Sequence, residues 1–187
     1  MLQAQGYPVA RLEKRVKRTL RLVSRTAPMR WQLGVTCALE HFTALMANLL
    51  LKDPRLLEGA HPAMAALWRW HAAEENEHKA VAFDVFKEIG GTYPERVVIM
   101  FFATVIFWAF VVEHQAEFMA ADGIALNPKE WAALVRFLFV EPGGMGALIP
   151  EYLAYYKPGF HPWQIDNRAL LEAWKKDYAT NAAYRAA

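Results

Sequence analysis

His71-Ala72-Ala73-Glu74-Glu75-Asn76-Glu77-His78 decides how this 187-residue chain is read. It lies within a long stretch of helical periodicity. At about 100° per residue, Met64, Leu67, Trp68, His71, Glu75, His78, Ala82 and Val85 share one face. That face is apolar except for three side chains able to bind metal. Glu75 and His78 form Glu-x-x-His, the spacing by which carboxylate-bridged di-metal helix bundles point two ligands inward. The stripe is therefore expected to face an interior. There a carboxylate and an imidazole need a partner or a metal, because burying an unpaired charge is expensive.

Working outward, the preceding helix offers Glu40 on a face of Leu33, Thr36, Cys37, Thr43, Ala44 and Ala47. These mostly small residues leave room for a close helix approach. His41 points about 100° away and is expected on a flank. A complete di-metal bundle takes one Glu from each of two helices and Glu-x-x-His from each of two more. This chain supplies Glu40, Glu75 and His78, with His71 as a further ligand or an outer partner. Glu74, at the edge of the stripe, is the candidate proton acceptor, and Glu77 projects off it as a solvated or ion-paired residue. A lone Glu-x-x-His is common by chance on helix surfaces; here the apolar surroundings and His71 favour a metal. Glu58 and His61 share the spacing, but Gly59 and Pro62 place them in a turn. Glu113 and His114 close an apolar run, and His161, beside Pro162 and Trp163, reads as a packed ring.

Prolines and glycines punctuate the rest. Pro8 opens a helix to about Ser24, and Pro28 opens one over about 28–51. Pro62 opens another over 62–89, closed by Gly90-Gly91, and Pro94 one over 94–121, closed by Asp122-Gly123. Asn127-Pro128-Lys129-Glu130 combines an N-cap, a first-turn proline and a capping-box acid. The aromatic C-terminal segment, 150–187, is broken at Pro158-Gly159, and Asp166 to Arg185 reads as a final surface helix. No strand alternation and no repeat appear. The expectation is an all-α chain forming a single helical domain over 1–187.

Composition narrows the function. The chain is 55% hydrophobic with a formal net charge of +2, which speaks against nucleic-acid binding. Basic residues gather in the first helix, from Arg11 to Arg25, as a solvated face or a contact for an anionic lipid surface. One cysteine, Cys37, excludes an internal disulfide and fits a reducing compartment. The N-terminus lacks a signal-peptide core, so the cytoplasm is the default, with a position peripheral to or embedded in the inner membrane as the alternative. Val97 to Val112 is uninterrupted and apolar. Sixteen helical residues reach only about 24 Å, so a buried core helix is expected first and a membrane helix second. No Gly-x-Ser-x-Gly, phosphate-binding glycine loop, His-Glu-x-x-His or Cys-x-x-Cys competes as a catalytic signature.

Ala38-Leu39-Glu40-His41-Phe42-Thr43-Ala44, the run Leu67 to Val85, and Tyr155 to Trp163 together resemble a bacterial family of predicted metal-dependent hydrolases. The resemblance implies a ferritin-like bundle and a metal-dependent activity. Members of that family usually carry an additional N-terminal helical pair with its own Glu and a second Glu-x-x-His. The chain is thus expected to lack that first pair and to hold half a ligand set. Truncation, a homodimer that assembles two halves, and a mononuclear or inactive site all remain open. The expected cofactor is a divalent metal, iron or manganese with zinc also compatible, acting on a small, lipid-like substrate. An oxidase using the same donors, and a non-enzymatic membrane-associated bundle with a buried polar network, are the rivals.

Overall fold

The computed structural model describes residues 2–180, and the described residues are helical with no strand. The helices are α1 (Val9–Thr26), α2 (Met29–Lys52), α3 (Pro62–His78), α4 (Val81–Glu88), α5 (Tyr93–Ala121), α6 (Pro128–Phe139), α7 (Ile149–Ala154) and α8 (Arg168–Thr180). The expected continuation of the last helix beyond residue 180 lies outside the described residues.

The proline signals start helices where expected, and side chains add the rest. Asn127 accepts a hydrogen bond from the Lys129 N–H at 3.0 Å. Thr92 and Glu95 form a reciprocal capping box at the head of α5, satisfying two backbone donors that a helix start leaves free. Arg30 of α2 adds an ion pair to Glu95 at 2.5 Å. Together these contacts hold Glu95 down at about 2.

Helix α2 is the hub, with α3, α4 and α5 packed around it. The core joins Ala38 and Phe42 to Phe83, Phe86, Met100, Tyr155 and Phe160. Each large side chain so buried stabilises the fold by about 1.5–3 kcal/mol. Close approach of α2 to α5 depends on Gly34, where a β-carbon would sit 2.6 Å from Ile99 Cδ1. The aromatic C-terminal segment closes the core through Arg96. Its guanidinium donates to the carbonyls of Tyr155 and Lys157 and lies among the Phe83, Tyr93, Tyr155 and Phe160 rings.

Four features differ from the sequence expectation. The helix expected over 62–89 is interrupted at Lys79-Ala80, where the Lys79 side chain is anchored to the C-terminal segment. The stripe of α3 faces outward: α3 buries Ala65, Ala72, Ala73 and Asn76 instead, because small residues let its backbone close on α2. Met64, Leu67, Trp68 and Val85 are each roughly half exposed. Val97 to Val112 is not a buried core helix. Ile99, Met100 and Ala103 are buried, whereas Val98, Phe101, Phe102, Val105, Ile106 and Val112 line an uncovered face. His41, expected on a flank, is buried against the rings of Tyr155 and Phe160. Burial drives it down to about 4, so it is neutral near pH 7.

Candidate metal centre

Glu40 sits at the middle of α2, half-buried, with Oε2 enclosed and lacking a hydrogen-bond partner. The backbone N–H of Ala82 lies close enough to favour the charged form of Glu40. That donor exists because of the Lys79-Ala80 interruption, which makes Ala82 the second residue of α4, where N–H groups have no acceptor within their own helix. Glu75 and His78 are the charged side chains that act on Glu40. Burial pushes the Glu40 carboxyl up and the Glu75 charge adds to it, while the Ala82 N–H and His78 pull it back down.

Glu75 links the two ends of the arrangement. One turn earlier on α3, His71 Nε2 lies 3.5 Å from Glu75 Oε1, and the His71 ring tilts against Trp68. His71, Glu75, Trp68, Thr43, Met46 and Ala72 line a groove of about 400 Å³ between α2 and α3. His71 is exposed at its open side, His78 is exposed further along α3, and Glu74 is half-buried. Glu77 is ion-paired with Lys175 at 2.7 Å, outside the groove. Among the described residues, no three His, Cys, Asp or Glu side chains converge as a ready metal cage. His71 and Glu75 line the groove, and Glu75 and His78 act on Glu40 through their charge, which makes this an open neighbourhood of donors and not a cage. Its mixed oxygen and nitrogen donors and the orphaned Glu40 oxygen suit a divalent cation.

A second polar group lies on the inner side of α3, and sequence reading missed it. Lys79 Nζ donates to the Ile165 carbonyl at 2.5 Å and to Asn167 Oδ1 at 2.8 Å. Asn167 donates to Asn76, which donates to the Ala72 carbonyl at 2.8 Å. Burial lowers Lys79 to about 8. The signal was Asn76 and Lys79, three apart on the small-residue face. His161 is packed as expected, edge-on to Phe83, with Nε2 2.8 Å from Asp84.

The described residues form an all-α helical bundle. The chain belongs to the predicted metal-dependent hydrolase family, whose model matches residues 1–166. Membership implies a divalent metal. Neither a curated protein nor a solved structure matches the chain.

Proposed function

We propose that the protein is a hydrolase whose divalent metal, iron or manganese with zinc also compatible, is held by Glu40, Glu75 and His78. His71 is a further ligand or orients Glu75. The observation that carries this reading is Glu40: a half-buried carboxylate with an enclosed, unpartnered oxygen, next to Glu75 and His78. Leaving such an atom unsatisfied destabilises a fold by about 1–3 kcal/mol. A metal supplies the missing partner, and when bound it lowers the pKa of water enough to give a nucleophile near neutral pH. The Ala82 N–H favours the charged form of Glu40, and Glu74, the neighbour of Glu75, would be the proton acceptor.

The bundle is ferritin-like in this reading, and the open side of the groove is where its remaining ligands enter. A second copy related by a two-fold axis would supply another Glu40, Glu75 and His78. It would also cover Met64, Leu67, Trp68 and Val85. The uncovered face of α5, on a 29-residue helix long and apolar enough to span a membrane, supports a position against the inner membrane. The test is metal content and native mass of the wild type and Glu75→Ala, with and without Mn²⁺ or Fe²⁺. The proposal expects stoichiometric metal and a dimer in the wild type, and loss of both in the variant. A wild type that retains no metal sinks the hydrolase assignment; a metal-loaded monomer sinks only the dimer.

A further inference from the structure

A second cavity, of about 300 Å³, lies between α2, α5, α6 and α7. It shares one wall residue, Met46, with the metal groove. Its size matches the lower end of small-molecule sites. Phe42, Phe107, Trp108 and Leu148 form much of the lining, and among the described residues no charged side chain lines it. The Phe42 and Phe107 rings stack at 4.9 Å, fixing one wall. Phe139, Ile149 and Leu153 ring the opening, each a little over half exposed.

Two hydroxyls, those of Thr104 and Tyr152, supply the polarity of the lining. Their hydrogens can be assigned. Thr104 donates to the Met100 carbonyl at 2.7 Å. Tyr152, 2.9 Å from Thr104, must then donate to it, and Tyr156, 2.8 Å from Tyr152, must donate to Tyr152. All three hydrogens are committed, so the hydroxyl chain offers lone pairs and no donor. A ligand end that donates a hydrogen bond is welcome there, whereas a carboxylate meets only acceptors. The apolar rim allows a tail to continue outward without passing a charge, which a compact polar molecule would not require.

We propose that this cavity binds one unbranched aliphatic chain bearing a neutral hydrogen-bond donor, such as an alcohol. Met46 places that chain beside the groove. That it belongs to the substrate rests on the hydrolase reading, whereas its binding does not.

The test uses the metal-free 187-residue chain and calorimetric titration with 1-hexanol, 1-octanol and 1-decanol. Affinity is expected to rise roughly fourfold per methylene, and octanoate to bind at least about tenfold more weakly than octanol. Leu148→Trp, which fills the cavity, and Leu153→Trp, which narrows its exposed mouth, should each weaken decanol binding at least about tenfold. Glu75→Ala should leave it unchanged, which separates this claim from the metal claim. Competition by phosphatidylcholine vesicles would assign the chain to a bilayer lipid, and its absence to a free amphiphile; either result upholds the site. No saturable binding, no dependence on chain length, or full binding in both tryptophan variants overturns it.

Discussion

The two faces of α3 carry polar residues of opposite character. On the inner face, Asn76 and Lys79 are buried and bonded onward to Asn167 and the Ile165 carbonyl. On the outer face, His71 and Glu75 line an open groove, His78 is exposed, and Glu40 on α2 keeps an oxygen with no partner. Polar groups that hold a fold together are satisfied by that fold. A half-buried carboxylate with a free oxygen is open to a ligand. The first set should therefore matter for stability and the second for ligand binding.

The largest stability loss is expected at Arg96, which ties α5 to the C-terminal segment. Arg96→Met strands the Tyr155 and Lys157 carbonyls and should cost about 3–5 kcal/mol in chemical denaturation. Asn76→Ala should cost about 2–3 kcal/mol, since it leaves Asn167 short of a partner in a fully buried place. A loss below about 0.5 kcal/mol in both would erase the contrast between the two faces.

The next effect is a pH dependence. Lys79 titrates at about 8 in the folded chain, against 10.5 for its ordinary value. Between those values the unfolded chain holds more protons, so stability should rise with pH from about 8. Up to about 1 kcal/mol should be gained by pH 9. Above that, Cys37, raised to about 12 by burial, works in the other direction. Lys79→Met should flatten the rise between pH 7 and 9, as followed by urea denaturation. An unchanged slope would mean that Lys79 is not the titrating group.

Much of the fold could be read from the chain. Pro62, Pro128 and Asn127 start helices where expected, and Glu75 and His78 lie near enough to Glu40 to act on it electrostatically. What periodicity could not give is which face of α3 turns inward. A stripe of Met64, Leu67 and Trp68 looks like a core, but α2 packs on Ala65, Ala72 and Ala73 because small residues permit the closer approach. The Lys79-Ala80 break was hidden for a related reason. At the break Lys79 bonds to Ile165 and Asn167, nearly ninety residues away, and local propensity carries no trace of that contact. The exposure of α5 is likewise a matter of what packs on it. Composition reports an apolar helix, not whether protein covers it.

The most direct measurement is the thermal stability of Glu40→Gln beside the wild type, each without metal and with Mn²⁺. A half-buried carboxylate with one oxygen unpartnered opposes folding, so the metal-free variant should melt at or above the wild-type temperature. Mn²⁺ should raise the wild-type melting temperature, because a ligand that binds only the folded state stabilises it, and should leave the variant unmoved. A variant that melts well below the wild type, together with a wild type indifferent to Mn²⁺, would contradict this. Glu40 would then be a cap for α4 through the Ala82 N–H, and the groove would not be a metal site.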